Sequence, residues 1–146
     1  MSKGKILFFA EDIRFLLKDK KKIRNWINFS IQAEGKSIGT VNIIFCSDSY
    51  LLELNQKYLN HDTFTDIITF DYSDQAENIS GEIFISIDRI KENAKKFQVP
   101  FYNELHRVII HGFLHLAGYK DKSRKDKLLM TSKEDYYLSL QPNFFS

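Results

Sequence analysis

Residues 101–117 form a strongly apolar segment that nevertheless contains two histidines four residues apart, His111 and His115. The length and apolar character of the segment predict a helix, which we expect to be the most buried of the chain. With about 3.6 residues per turn, both imidazoles leave the same helix face about one turn apart. That arrangement suits two ligands of one metal ion, so the segment predicts both a core helix and a metal site.

A glycine and a carboxylate follow the two histidines. Gly118 can adopt the left-handed conformation that ends a helix, so that the chain folds back and presents a third ligand. Asp121 is the candidate for that ligand. Two histidines alone could be hydrogen-bonded core residues, but the glycine and the carboxylate favour a metal site. Three ligands are typical of a catalytic zinc, which leaves a position for water, whereas a structural zinc usually has four.

The same pattern of two helical histidines, a glycine and a third ligand occurs in zincin-like proteases, where a glutamate directly follows the first histidine. Gly112 stands at that position here and cannot act as a base. The sequence therefore excludes a peptidase mechanism with its base in that place.

Hydrophobic periodicity along the chain predicts an α+β fold, in which helices pack on a small mixed sheet of four strands. The predicted strands are residues 6–10, 38–46, 67–72 and 82–87, with a polar loop that reaches Gly81 before the last. The predicted helices are residues 20–34, 48–59, 88–97, 101–117 and 123–140. No internal repeat or linker interrupts them, so we expect a single domain over residues 1–146.

Composition narrows the setting. The chain is 43% hydrophobic and 27% charged, as expected of a globular protein. It contains no apolar run near the ~18 residues of a membrane span, and we find no secretion signal. Cys46 is the single cysteine, which rules out an intrachain disulfide and favours a reducing compartment, so we expect a cytoplasmic protein.

Net charge is only +2, but the basic residues are clustered. We interpret residues 18–24 as a solvated helix end. The second cluster flanks the metal motif, where it could attract phosphates. It consists of Lys120, Lys122, Arg124, Lys125 and Lys127.

Residues 111–121, HGFLHLAGYKD, resemble the signature H-G-x-L-H-L-x-G-Y-D-H of the YbeY family. Residues 54–55 and 65–70 are similar to the family's L-N…T-D-V-L-S-F segment, and residues 81–85 to its G-D-I-x-I strand. Glu104-Leu-His106 precedes the metal helix as in relatives, and the resemblance extends over residues 45–121 in the family's order.

The resemblance implies a zincin-like fold and a metal-dependent endoribonuclease, specific for single strands, that acts in rRNA maturation and ribosome quality control. It also implies one Zn²⁺ per chain, or another divalent transition metal. The partners would be single-stranded RNA, above all ribosomal RNA, and the small ribosomal subunit, with neither DNA nor a membrane. The alternatives are a ribosome-associated factor whose metal is mainly structural, and a zincin-like hydrolase of another substrate class.

Two positions depart from the family pattern. Asp121 replaces the third histidine, and its negative charge should leave a metal-bound water less acidic than in an all-histidine site, where its pKa can reach ~7. Harder metals such as Mn²⁺ should be tolerated better. Leu59 stands where relatives usually carry an arginine that aids catalysis. Arg107, one turn before His111, is a candidate catalytic replacement, although a surface arginine in an ordinary ion pair is an equal expectation.

The remaining polar candidates receive mainly structural interpretations. Glu104, two turns before His111, could either support a ligand or form an exposed ion pair. Asp66 is expected to bond backbone amides at a strand start, and His61 to lie exposed in a turn. His106 should point away from the ligands, and Cys46 should be a buried small hydrophobe.

Overall fold

The computed structural model describes residues 4–60 and 65–146. Its strands are β1 (Lys5–Ala10), β2 (Ser37–Cys46), β3 (Ile67–Asp71) and β4 (Asn78–Ser86). Its helices are α1 (Lys20–Ala33), α2 (Asp48–Leu59), α3 (Ile87–Phe97), α4 (Phe101–Leu116), α5 (Arg124–Ser139) and the short α6 (Pro142–Phe145). The predicted α+β class is confirmed, with a mixed sheet of four strands in the described part of the chain.

The strand order is β1-β2-β4-β3, with β1, β2 and β4 parallel and β3 antiparallel beside β4. Successive strand residues point to opposite faces of a sheet. Ile43 and Ile83 lie in the main core with the buried residues of α1, α3, α4 and α5. Cys46 lies in a second, smaller cluster with Leu51 of α2 and Ile68 of β3. The sheet is therefore covered by helices on both faces. The larger cluster includes residues of α1, α3, α4 and α5, and α4 carries both His111 and His115.

The predicted start of the last strand is wrong. Strand β4 begins at Asn78 and includes Gly81, which the sequence pattern places in a loop. A Cβ at Gly81 would lie 2.3 Å from the carbonyl oxygen of Phe70 on β3, so glycine is needed here for close approach inside the sheet. The glycine marks tight strand packing and not a turn.

Helix boundaries follow local capping chemistry. Ser123 accepts a hydrogen bond from the amide of Asp126 at 3.0 Å and so caps α5, as the sequence predicts. Gly35, with φ of +79°, follows the end of α1 at its predicted position. Helix α6 is not predicted from the sequence, because four residues are too short for a periodic pattern.

None of the helices in residues 4–60 and 65–146 combines the length and hydrophobicity that a membrane crossing requires.

Candidate metal centre

The two histidines of α4 and Asp121 converge on one point. The Nε2 atoms of His111 and His115 each lie 3.3 Å from Oδ2 of Asp121. One potential ligand atom from each residue falls within 4.8 Å of the other two. All three residues are partly buried, and all three line the same surface cavity.

The turn after α4 brings Asp121 back to the histidines. Helix α4 ends at Leu116, and Gly118 adopts φ of +109°, a conformation that favours glycine. The Gly118 amide donates to the His115 carbonyl and the Tyr119 amide to the Leu114 carbonyl, each at 3.0 Å. This pair of bonds is a Schellman motif, which reverses the chain direction.

These distances test whether the residues fit a metal ion. Tetrahedral nitrogen and oxygen ligands at about 2.0–2.1 Å from zinc lie about 3.3–3.4 Å apart. The two distances to Asp121 have that value. A direct hydrogen bond between imidazolium and carboxylate would be shorter, about 2.7–2.9 Å. The separation therefore fits an ion between His111, His115 and Asp121 better than direct bonding.

The other ring nitrogen of His111 is held from α5. Nδ1 of His111 lies 2.6 Å from Oε2 of Glu134, whose side chain is only 8% exposed. Arg107 donates to Oε1 of Glu134 at 2.8 Å and to Asp135 at 2.6 Å. Arg107 is therefore engaged in ion pairs with α5, while it also lines the pocket beside the histidines.

A cavity of about 510 Å³ opens in front of the three candidate ligands. Its walls come from the end of α2, the start of β3, α4, the turn after α4, and α5. Besides the ligands, it is lined by Leu59, Thr65, Asp66, Ile67, Ile68, Thr69, Glu104, Arg107, Val108 and Glu134. The cavity therefore joins polar and charged groups to a short apolar wall.

Several of these groups have displaced pKa values. Burial and the nearby carboxylate of Asp66 raise the pKa of Glu104 to about 7. Burial also raises the pKa of Asp66, although His111 opposes the rise. Burial disfavours the charged form of His111, but the hydrogen bond and charge of Glu134 outweigh it and raise the pKa of that imidazole. Perturbed groups gathered in one cleft are typical of functional sites.

The structure also explains the residue after the first histidine. Gly112 is buried against the sheet, and a Cβ there would lie 2.9 Å from Cδ1 of Ile67 and 3.1 Å from two carbons of Ile83. A glutamate at this position would point into the core and not into the cavity. The exclusion of a base at position 112 therefore has a packing reason as well as a chemical one.

Other predicted residues lie as follows. Glu104 is 5% exposed and lines the cavity, so the expectation of an exposed ion pair is wrong. His106 is buried and its Nδ1 contacts Gln141, away from the ligands. Cys46 is buried, and burial together with nearby carboxylates raises the pKa of its thiol to about 12, which fits a core hydrophobe. Leu59 lies on the cavity wall, and His61 falls outside the described residues.

Sequence reasoning missed Glu134. A signal was present, because Met130, Glu134 and Tyr137 follow a helical i, i+4, i+7 spacing, and the first and last are buried. A carboxylate within an apolar stripe requires a buried partner. The identity of that partner, His111, depends on how α5 packs against α4 and could not be read from spacing.

Comparisons with known proteins identify the family of the chain. A family model described as endoribonuclease YbeY matches residues 10–141. The endoribonuclease YbeY of Flavobacterium psychrophilum is 54% identical over 135 residues, which cover 92% of this chain and 96% of that protein. The endoribonuclease YbeY of Cytophaga hutchinsonii is 50% identical over 141 residues, which cover 97% of this chain and 99% of that protein. The solution structure of TM1509 from Thermotoga maritima matches with a TM-score of 0.66 and 30% identity, over 93% of this chain and 88% of that one.

Proposed function

The chain belongs to the endoribonuclease YbeY family, and from that membership we propose that this endoribonuclease depends on a bound metal and cuts single-stranded RNA. Its substrate is ribosomal RNA, and its roles are rRNA maturation and ribosome quality control. It works in the cytoplasm with the small ribosomal subunit as partner, and neither DNA nor a membrane is involved.

The observation that carries the metal dependence is the pair of 3.3 Å separations at Asp121. They support His111 Nε2, His115 Nε2 and Asp121 Oδ2 as ligands of one Zn²⁺ per chain, with another divalent transition metal as an alternative. Three protein ligands would leave one coordination position free for water or substrate. A metal ion bound by these three residues would supply a Lewis acid, able to polarise phosphate oxygens and to lower the pKa of a water molecule.

Cationic side chains hold the RNA backbone around this centre. Arg107 lines the cavity one turn before His111, and we assign it the catalytic task of stabilising phosphate charge. Its pairing with Glu134 and Asp135 fixes the direction of the guanidinium. Lys120 and Lys122 are exposed on the turn that carries Asp121 and extend the positive surface. Recognition rests on single-strandedness and charge.

Leu59 favours one rival function. It offers the cavity an apolar side chain where the family pattern has an arginine, so catalysis could be weak and the protein could be a ribosome-associated factor with a mainly structural metal. A zincin-like hydrolase of another substrate class has no comparable support, because the packing of Gly112 leaves no room for the glutamate of that mechanism.

The decisive experiment combines metal analysis with an RNA cleavage assay. Protein purified without chelators should contain about one metal per chain. His115→Ala should lose both the metal and the cleavage of single-stranded ribosomal RNA while the fold is retained. Asp74→Asn, in the exposed loop between β3 and β4, is the matched control and should keep both.

Two results would contradict the proposal. If wild-type protein purified without chelators contained well below one metal per chain, the proposed metal site would be contradicted. In the second result, His115→Ala is largely unfolded, but the fraction that remains folded still binds the ribosome. That result would favour the factor with a structural metal.

A further inference from the structure

The carboxylate of Glu134 makes the shortest contact of the His111 ring. Its Oε2 lies 2.6 Å from Nδ1 of His111, on the side of the ring opposite the candidate metal. Glu134 comes from α5 and His111 from α4, so the contact joins two helices. The Glu134 side chain is 8% exposed, which makes solvent a poor competitor for the bond.

Both carboxylate oxygens of Glu134 are occupied. Oε1 accepts from Nη1 of Arg107 at 2.8 Å, and Oε2 faces His111. The second guanidinium nitrogen of Arg107 is fixed by Asp135 at 2.6 Å. Glu134 therefore cannot turn away from His111 without also breaking its ion pair with Arg107, in which Glu134 is buried and Arg107 is partly exposed.

This contact selects the tautomer of His111. A neutral imidazole carries one N–H, and a carboxylate can only accept hydrogen bonds. Glu134 at 2.6 Å is within hydrogen-bond distance of the ring, whereas Asp121 on the other side lies at 3.3 Å. The proton of neutral His111 therefore lies on Nδ1, and the lone pair lies on Nε2. Nε2 is the atom that stands 3.3 Å from Oδ2 of Asp121, so the lone pair points at the candidate metal position.

The two histidines differ in this respect. Within the described residues, the ring of His115 has Asp121 as its polar partner and lies against the His111 ring, with no carboxylate on its other nitrogen. The support from α5 thus acts on His111 alone.

We propose that Glu134 is a positioning residue for His111, and that it holds the Nδ1–H tautomer and turns Nε2 to the metal through an ion pair with Arg107. The inference rests on the metal site of the proposed function. A carboxylate behind a ligating histidine fixes the ring and raises its basicity, and its loss typically weakens metal affinity 10–100-fold.

The test compares Glu134→Gln with Asp135→Asn. The first change keeps the shape of the side chain, but its amide can donate to Nδ1 and so favour the wrong tautomer. The second change removes the exposed partner of Arg107, which does not contact His111. Metal affinity is measured for Zn²⁺ by competition with a chromophoric chelator. We expect a loss of about 10–100-fold for Glu134→Gln and less than about threefold for Asp135→Asn.

A second readout does not depend on metal, and its main result comes from the wild-type protein. Long-range ¹H–¹⁵N NMR of the imidazoles reports the tautomer of His111 in metal-free wild-type protein, at a pH high enough to leave this imidazole neutral despite its raised pKa. We expect Nδ1–H in the wild type and Nε2–H in Glu134→Gln. A merely structural tie between α4 and α5 would change the unfolding temperature but not the tautomer.

The outcomes separate the two hypotheses. If wild-type protein binds no metal but His111 is the Nδ1–H tautomer, the proposed function fails while the positioning contact stands. An Nε2–H tautomer in wild-type protein overturns the inference, even if Glu134→Gln cannot be folded. A folded Glu134→Gln with wild-type Zn²⁺ affinity overturns it as well.

Discussion

Gly112 packs so closely on Ile83 that a Cβ at position 112 would lie 3.1 Å from both Cδ1 and Cγ2 of that side chain. Ordinary contacts between carbon atoms lie at about 3.5–4.0 Å. Helix α4 therefore packs tightly on β4 one residue after the first candidate ligand. This close approach buries the back of the helix in the core and presents His111 and His115 from its other side.

Replacement of Gly112 by glutamate should destabilise the fold. The new side chain would force a carboxylate between Ile67 and Ile83, so we expect the free energy of unfolding to fall by more than about 3 kcal/mol. Urea unfolding in the presence of a chelator measures the change without a contribution from metal. Gly112→Ala should lose less, because better helix propensity returns about 1 kcal/mol.

Ile83→Val provides a control for the packing argument. It removes one of the two carbons that a Cβ at position 112 would meet, so the cost of Gly112→Ala should be smaller in that background. If Gly112→Glu had the same free energy of unfolding as wild type, the close packing of α4 on β4 would be contradicted.

Glu104 should make stability depend on pH near neutrality. Its pKa is about 7 in the folded protein and near the ordinary value of 4.5 in the unfolded chain. The folded state thus binds the proton more tightly, and its stability falls as pH rises from about 4.5 to about 7. Glu104→Gln should remove the part of this pH-dependent loss of stability that comes from Glu104. We expect that part to be on the order of 1–2 kcal/mol after allowance for solvent in the cavity.

The measurement is urea unfolding of metal-free protein at several pH values across this window. As pH rises through this window, the free energy of unfolding of Glu104→Gln should increasingly exceed that of wild type. The difference should level off above pH about 7. Glu53→Gln, on the exposed face of α2, is the matched surface control. An equal pH profile for both variants would show that the cavity carboxyl is not the cause.

Leu59→Arg should strengthen RNA binding. Leu59 is 45% exposed and lines the cavity, so an arginine there can reach a bound phosphate without burial of its charge. One added phosphate contact should raise affinity for single-stranded RNA roughly fivefold at low salt, and steepen the dependence of log affinity on log salt by about 0.7. Filter binding at several salt concentrations measures both quantities.

Leu59→Met separates charge from shape, since it changes the side chain without adding a cation. Equal affinities for the two variants, or an unchanged salt slope in Leu59→Arg, would place the RNA backbone away from this wall of the cavity.

The candidate site shows what local pattern can and cannot predict. The grouping of His111, His115 and Asp121 follows from helix periodicity and from a glycine that ends the helix, and both are local properties. That the group binds a metal stays a prediction. Glu134 belongs to another helix, and its contact with His111 arises only when α5 packs against α4.

The same distinction explains the sheet. Alternation and β-branched residues predict four strands, but the pattern indicates a loop at Gly81 because the role of that glycine depends on the Phe70 carbonyl of a neighbouring strand. The burial of Glu104 likewise depends on packing, since its position two turns before His111 is equally compatible with exposure.

Asp121 should determine which metal the site prefers. A carboxylate oxygen suits harder ions such as Mn²⁺, whereas imidazole favours Zn²⁺. Asp121→His should therefore keep Zn²⁺ binding but weaken Mn²⁺ binding, so that the ratio of the two affinities rises by about tenfold or more. Competitive titration of metal-free protein with each ion measures the ratio.

Asp121→Asn removes the charge while it preserves the size of the side chain. It should weaken the binding of both ions, because a neutral amide oxygen is a poorer ligand than the carboxylate that lies 3.3 Å from both histidines. Asp74→Asn, which removes an exposed carboxylate outside the cavity, should leave both affinities unchanged. If Asp121→Asn bound Zn²⁺ and Mn²⁺ as tightly as wild type, the third ligand would have to be a different residue, and the 3.3 Å separations would reflect only an ion pair.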